Sequence, residues 1–143
     1  MGMKTLQQNF VRLKALGLPL EDLKAMQKLE SGKSQTPGYM DLHWDFLYKD
    51  RPGTYIIALS HYWRHDSGDM MADPDMEIRV CPELQIIEAM TFQQDGCGSP
   101  YQVVYGEGGV DKKLFRSLNI FLAHWLVNCY NQGHRLISEK EPA

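Results

Sequence analysis

The feature that most constrains the fold is a strict alternation of apolar and polar side chains over residues 40–46. Met40, Leu42, Trp44 and Phe46 alternate with aspartate and histidine side chains. Successive side chains of a β-strand point to opposite faces of the sheet, so this pattern puts the apolar residues on one face. The segment therefore predicts a strand with one buried face, and another layer of the protein must cover that face.

Four further segments show signs of extended structure. They are β-branched, aromatic or alternating runs at residues 54–63, 76–80, 84–92 and 101–105, and short turns rich in glycine, proline and aspartate separate them. Short connections favour antiparallel neighbours. We therefore predict a five-stranded, mostly antiparallel, curved sheet, with residues 31–39 as a loop that leads into it.

Helical periodicity occurs at both ends of the chain. Apolar residues recur every three or four positions over residues 5–16 and 20–29, which predicts two short N-terminal helices. A broad apolar stripe over residues 111–133 predicts a long C-terminal helix packed on one sheet face. The predicted class is α+β, with residues 1–143 as a single domain, because a chain of this length buries one core and not two. Residues 137–143 are expected to fray.

Composition argues against several classes of protein. The formal net charge of −3 provides no overall positive field, so no nucleic-acid partner is expected. Three cysteines without paired spacing do not support a disulfide framework or a zinc knuckle. The start of the chain lacks a signal-peptide pattern, and no apolar run is long enough to span a bilayer. We therefore expect a soluble, cytoplasmic protein without membrane contact.

Three strings of the chain carry a family resemblance. They lie at residues 9–13, 76–80 and 118–129, and the last of them reads LNIFLAHWLVNC. In this order they resemble the YqiB-like family of small bacterial proteins of unknown function, over about residues 5–134. The resemblance implies a bacterial protein and a fold rather than a chemistry. Residues 68–75 are an addition to that pattern and are similar to small proteins carried on bacterial mobile elements, which would imply a regulatory or inhibitory role.

The histidine pair His61 and His65 has the four-residue spacing that chelates zinc from one face of a helix. Here the preceding residues predict a strand, in which residues four apart are separated by about 13 Å. His43 would approach His61 across the predicted hairpin, but two scattered histidines supply too few ligands for a metal ion. We therefore predict no metal site and no cofactor.

No catalytic residue is predicted either. Cys97 lies in a glycine turn, but no base or positive charge that would activate its thiol is identifiable. The glycine-rich residues 106–109 do not match the GxxxxGK[ST] phosphate-binding pattern. The absence of catalytic motifs favours a role other than that of an enzyme.

The sequence suggests an interaction surface instead. Aromatic side chains occupy both faces of the predicted strands, whereas terminal helices would cover only one face. The polar 65–75 loop contains two adjacent methionines, whose flexible side chains suit a partner surface. We interpret the chain as a non-catalytic, protein-binding or regulatory module that binds a protein partner or self-associates as a homodimer. The predicted interaction residues are Trp63, His65, Asp69, Met70, Met71 and Asp73.

An alternative from another class is retained. It is a small enzyme or small-ligand binder with a pocket between the sheet and the C-terminal helix. In that alternative, His61, His65 and an aspartate would act as acid–base groups or as metal ligands.

Overall fold

An antiparallel sheet with helices packed on one face forms the architecture. The structure, a computed structural model, describes residues 2–96 and 101–137. Helices α1 (Met3–Ala15) and α2 (Leu23–Leu29) precede the sheet, and α3 (Lys112–Asn131) follows it. The predicted α+β class, the two N-terminal helices and the long C-terminal helix are confirmed.

The main sheet has seven strands within the described residues rather than the predicted five. The strands are β1 (Ser31–Ser34), β2 (Leu42–Lys49), β3 (Tyr55–Arg64), β4 (Met70–Cys81), β5 (Ile86–Ala89), β6 (Thr91–Gln93) and β7 (Tyr101–Val103). Their order is β1-β2-β3-β4-β6-β7, and β5 also pairs with β4. A small ribbon of β8 (Tyr105–Gly106) and β9 (Gly109–Val110) then leads into α3.

Three differences from the predicted strands have physical causes. The predicted 31–39 loop contains an edge strand, β1, which pairs with β2 through its backbone and therefore needs no apolar pattern. The predicted strand at residues 84–92 is divided at Met90, where the chain passes from β5 to β6. The predicted 65–75 loop is wrong from Met70 onward, because those residues continue β4 and pair with the end of β3.

The β3–β4 hairpin is the longest pairing of the sheet. Its register shifts between Ser60 and Tyr62, so one extra residue of β4 is accommodated near the cis peptide bond of Asp73 and Pro74. Such a bulge re-aims the side chains beyond it. The predicted frayed tail, residues 137–143, lies outside the described residues except for Ile137, which packs against the core.

The core lies between the sheet and the helices α1 and α3, which pack on each other and on β5. Alternate residues of β2, β3 and β4 supply one side of it, as the period of two predicts. The fully buried members on the sheet side include Leu42, Trp44, Ile57, Leu59, Met76 and Ile78. Leu122 and Leu126 of α3 cover them, so the predicted packing of the C-terminal helix on one sheet face is confirmed.

A buried polar connection fixes the helices relative to the sheet. The side-chain oxygen of Asn119 in α3 accepts a hydrogen bond of 3.0 Å from the backbone N–H of Ala89 in β5. The side-chain amide of Asn9 in α1 donates to the backbone oxygen of Asn119, also at 3.0 Å. Both asparagines are fully buried. Buried polar groups that are all hydrogen-bonded favour one arrangement of the elements over slipped ones.

Replacing Gly32 with alanine is expected to destabilise the protein by about 1–3 kcal/mol through overpacking. A Cβ at this position would meet the indole of Trp44, and the backbone oxygen of Leu136 would be 3.1 Å away. Chemical denaturation of the variant measures the loss. The control is Gly108→Ala, where a Cβ would meet nothing within 4 Å. Equal stabilities of the two variants would contradict this packing.

Candidate functional site

His61 lies where β3 meets α3, and only 6% of its surface is exposed. Its Nε2 atom is 3.8 Å from the Sγ atom of Cys129 in α3. Its ring is edge-on to the ring of Trp125, with 5.5 Å between centroids, and the ring of His134 is 5.7 Å away. The helix side of the sheet therefore encloses a small polar cluster within an apolar core.

The buried environment determines the charge of this cluster. Burial, with smaller contributions from His134 and His43 and against an opposing effect of Asp41, lowers the pKa of His61 to about 4. The imidazole is therefore neutral at pH 7. Burial also raises the pKa of the Cys129 thiol to about 12, so the thiol stays protonated and is not the thiolate that nucleophilic chemistry needs.

His134 follows α3 and joins the end of that helix to β1. Its Nδ1 atom is 2.9 Å from the hydroxyl oxygen of Ser34 and 3.3 Å from that of Thr36. The same Ser34 oxygen accepts from the backbone N–H of Arg135. Burial lowers the pKa of His134, against a hydrogen-bond contribution from the Met40 backbone. Sequence reasoning did not select His134 for a role, because its partners are about a hundred residues away along the chain.

His61 and His65 do not come together, as expected from the strand that was predicted for the residues before them. His61 is buried, whereas His65 lies in the exposed turn between β3 and β4 and accepts a hydrogen bond from the backbone N–H of Ser67. Across the hairpin, Leu42 and not His43 pairs with His61, so His43 points to the opposite face of the sheet. Over residues 2–96 and 101–137, no three His, Cys, Asp or Glu side chains gather as metal ligands.

A cavity of about 280 Å³ opens between the β3–β4 hairpin and α3, and we call it the sheet–helix pocket. Its lining includes His61 and Asp73 from the sheet, with Phe121, Trp125 and Gln132 from α3 and its end. This is the location that the sequence-based alternative gave for a pocket. Two buried polar atoms on these lining residues, Nε1 of Trp125 and Oε1 of Gln132, have no hydrogen-bond partner among the described residues.

The second candidate surface is the face of the sheet opposite α1 and α3, which we call the open face. A shallow cavity of about 330 Å³ lies on it, lined by His43, Asp45, Ser60, Tyr62 and Met70. The strand register extends this face across the sheet. Ser60 pairs with Asp75, and Ala58 is flanked by Asp45 on one side and Glu77 on the other.

The open face has an excess of negative charge. Asp45, Asp75 and Glu77 have no ion-pair partner within the described part of the chain. Burial raises the pKa of Glu77, and the neighbouring Asp75 raises it further. The hydroxyl of Tyr62 donates a short hydrogen bond to Asp75, while burial and this bond raise the pKa of Tyr62.

Arg79, one of the cations on this face, is already paired with carboxylates. Arg79 donates to Asp50 at 2.8 Å and to Glu88 at 3.1 Å. Its guanidinium also lies over the ring of Tyr105, 5.1 Å from the centroid. The charge of Arg79 is therefore not available to offset the charges of Asp45, Asp75 and Glu77.

The predicted interaction residues of the hairpin divide between the two faces of the sheet. Trp63 pairs with Met71, and Arg64 pairs with Met70. Adjacent residues of a strand point to opposite faces, so Trp63 and Met71 share one face and Met70 lies on the other. Met70 borders the open-face cavity. The single patch predicted from sequence is therefore not formed by these three side chains.

The remaining predicted interaction residues have local partners. In the hairpin turn, the backbone N–H of His65 donates to the backbone oxygen of Asp69 at 2.8 Å, and the Ser67 hydroxyl donates to the Asp69 carboxylate. Asp73 accepts a hydrogen bond from the side-chain amide of Gln94 at 3.0 Å and lines the sheet–helix pocket. His65 and Asp69 thus close the turn, and Asp73 lies apart from them. Cys97 lies outside the described residues.

Family comparison covers both candidate surfaces. Residues 14–135 match the family described as Domain of unknown function (DUF6908). The chain belongs to this family. The match is consistent with the predicted membership of a family of unknown function, but the YqiB-like resemblance is not confirmed by it. The matched range of the DUF6908 domain includes every residue that lines the pocket and the open-face cavity.

Two further comparisons, one with curated proteins and one with solved structures, found no match to this DUF6908 chain. Among its described helices, none is sufficiently long and apolar to cross a membrane.

Proposed function

We propose that this DUF6908 protein is a non-catalytic binding module whose open face holds a basic segment of a protein partner. The observation that carries the proposal is the set of three carboxylates on that face, Asp45, Asp75 and Glu77, none of which has an ion-pair partner among the described residues. Complementary charge steers association and selects partners. A lysine- or arginine-bearing segment is the chemistry that this face complements.

Exposed side chains around the carboxylates support the same partner. Tyr101 lies near Glu77 and near Tyr48, and the two tyrosines are about half exposed, at 55% and 51%. Tyrosine is enriched in protein interfaces, and its ring attracts guanidinium and ammonium groups. Met70 adds an adaptable apolar edge, with 53% of its surface exposed.

The same charges argue against a second copy as the occupant of this face. Two open faces in contact would bring carboxylates of like charge together with few cations between them, which is unfavourable. Of the two kinds of partner predicted from sequence, we therefore propose a different, basic protein and not a homodimer formed through this face.

The test uses a short, fluorescein-labelled peptide of alternating arginine and alanine, with binding followed by anisotropy. We expect the double variant Asp45→Asn/Glu77→Gln to bind about three- to tenfold more weakly, because exposed ion pairs are each worth about 0.2–1 kcal/mol. The control Glu83→Gln/Glu107→Gln removes the same charge from exposed turns elsewhere. Equal losses in the two double variants would show that the peptide senses only net charge.

Two neighbouring methionines provide a second, uncharged comparison. Met70 borders the open-face cavity and Met71 lies on the other face of the hairpin. We expect Met70→Ser to weaken peptide binding and Met71→Ser to leave it unchanged. A parent protein that does not bind the peptide would overturn the proposal. So would light scattering that shows a dimer which Met70→Ser dissociates.

A further inference from the structure

An apolar groove of about 220 Å³ runs between α1 and α3 at the outer surface of the two helices, and we call it the helix groove. Val11 and Ala15 of α1 and Leu126 and Val127 of α3 belong to its lining. Leu126 is fully buried, whereas 65% of the surface of Val11 and 42% of that of Val127 are exposed. The groove is therefore concave, and its apolar sides are accessible to solvent.

Exposed apolar side chains continue along α3 on the same side. Ile120, Val127 and Tyr130 are 46%, 42% and 45% exposed, and Val127 and Tyr130 line the groove. Their spacing of seven and three positions places them on one face of a helix with 3.6 residues per turn. A contiguous apolar surface of this kind marks an interaction site, whereas apolar residues scattered singly do not.

α1 and α3 run in the same direction along the groove. The side chain of Asn9 donates to the backbone oxygen of Asn119, and further along both helices Ala15 and Tyr130 line the same groove. The N-terminal ends of the two helices therefore lie toward the same end of the groove. The partial positive charges of the two helix N-termini add to each other there.

Both helices carry positive charge and no negative charge. Neither contains an aspartate or a glutamate, and their basic residues are Lys4, Arg12, Lys14, Lys112, Lys113 and Arg116. Within the described residues, only Lys14 of this set has a carboxylate partner, Glu21. The chain as a whole has a net charge of −3. The helix layer is therefore a basic surface on a protein whose open face is acidic.

Two arginines lie at the groove itself. Arg12 is part of the lining, and its guanidinium donates to the side-chain oxygen of Asn9 at 2.8 Å. The guanidinium of Arg135 lies over the ring of Tyr130, 3.9 Å from the centroid. Neither arginine has a carboxylate within ion-pair distance in the described part of the chain. An occupant with carboxylates beside its apolar side chains would complement both.

The shape and charge of the groove disfavour other occupants. A second copy that docked through its own helix groove would bring cations against cations. A lipid surface holds apolar side chains that protrude into it, whereas this apolar surface is recessed between two helices. The volume of about 220 Å³ is below the usual range for small-molecule sites, about 300–1,000 Å³. Side chains of a protein partner fit it better.

We propose that the helix groove binds an acidic amphipathic helix of a protein partner. Apolar side chains of that helix, three or four positions apart, would enter the groove between α1 and α3, as ridges of side chains enter grooves when helices pack. Its flanking carboxylates would pair with Arg12 and Arg135. This partner is different from the basic segment proposed for the open face, and neither proposal depends on the other.

The test uses two fluorescein-labelled peptides of leucine, alanine and glutamate, each about 16 residues long so that a helix can form. In the helical peptide the leucines recur at helical spacing and form one face. The scrambled peptide has the same composition and no apolar face. By anisotropy, we expect the helical peptide to bind with a dissociation constant of about 100 μM or below. We expect the scrambled peptide to bind at least about tenfold more weakly.

An uncharged pair of variants tests the apolar wall. Val127→Ser removes apolar surface from the groove, and the control Val103→Ser changes a valine of β7 that is also 42% exposed. We expect Val127→Ser to weaken binding of the helical peptide about three- to tenfold, because less apolar surface is buried. We expect Val103→Ser to bind like the parent.

A second pair of variants tests the charges. Arg12→Gln/Arg135→Gln is expected to weaken binding about three- to tenfold, the effect of two exposed ion pairs. The control Lys24→Gln/Lys28→Gln removes the same charge from exposed positions of α2. Because Arg12 also contacts the buried Asn9, Arg135→Gln alone is measured as well, and we expect it to weaken binding about twofold.

Four results would each show that the proposed partner is wrong. The first is a parent protein that does not bind the helical peptide. The second is binding that appears only in Glu139→Gln/Glu141→Gln, since the chain itself would then supply the acidic occupant. The third is equal binding of both peptides, which would mean that only charge is sensed. The fourth is co-sedimentation with vesicles of phosphatidylcholine and phosphatidylserine in equal parts that Val127→Ser abolishes, which would assign the surface to an anionic membrane.

Discussion

Replacing Trp44 with alanine is expected to lower the free energy of unfolding by about 3–5 kcal/mol, as removal of a fully packed core aromatic does. Trp44 is 1% exposed in the middle of β2 and pairs with Leu59 of β3. The loss is a large part of the 5–15 kcal/mol that usually stabilises a domain. Urea denaturation followed by circular dichroism measures it.

Trp63→Ala is the matched control for this change. Trp63 belongs to the adjacent strand β3, but 38% of its surface is exposed near the hairpin turn. We expect a change within about 0.5 kcal/mol, since exposed substitutions away from caps and core usually cost little. Equal destabilisation by the two substitutions would contradict the assignment of Trp44 to the core and Trp63 to the surface.

Acidification from pH 7 to pH 4 is expected to reduce the stability by roughly 3 kcal/mol through His61 alone. The folded-state pKa of this residue is about 4, and its unperturbed value is 6.5. Between these values the unfolded chain binds a proton that the folded protein does not bind. The contribution of His61 is therefore fully present above pH 6.5 and is lost as the pH falls toward 4. Burial lowers the pKa of His134 in the same direction.

The measurement is urea denaturation of the parent and of His61→Gln at a series of pH values. The variant is expected to lose less stability than the parent between pH 6.5 and 4, because it lacks the titrating group. Between pH 7.5 and 8.5, His61 is neutral in both the folded and the unfolded state. In this range, the difference in free energy of unfolding between the parent and the variant therefore reports the change in packing alone. If both proteins lose the same stability between pH 6.5 and 4, His61 is not the group that destabilises the folded state.

Local periodicity determined the α+β class and the main elements. The alternation of residues 40–46 and the apolar stripe of α3 each depend only on which side chains share one face of a strand or helix. Both predictions are confirmed by the packing of β2 and α3 around one core. Four of the five predicted strands were visible in the sequence because they bury apolar side chains, whereas Tyr101 and Val103 of β7 are exposed.

Tertiary structure decided what the local pattern could not determine. β1 consists of Ser31–Ser34, which contain no apolar side chain, and it is a strand only because its backbone pairs with β2. Likewise, residues 70–75 at the start of β4, which were predicted as part of a loop, form a strand because the end of β3 provides hydrogen-bond partners. Backbone hydrogen bonds to a distant strand do not require a periodic pattern of apolar residues, so the sequence gives no sign of them.

The two candidate surfaces show the same division. The sequence indicated a pocket between sheet and C-terminal helix, but not that Trp125 and Gln132, two of its lining residues, would each bury a polar atom without a partner among the described residues. Neither did it show that Met70 and Met71 lie on opposite faces while Asp45, Asp75 and Glu77 share one. These arrangements depend on strand register and on a bulge near Asp73, and a shift of one residue moves every side chain to the other face. The sequence by itself therefore determined the α+β class and the elements whose apolar residues share one face, whereas the register of the folded sheet decided which polar groups meet.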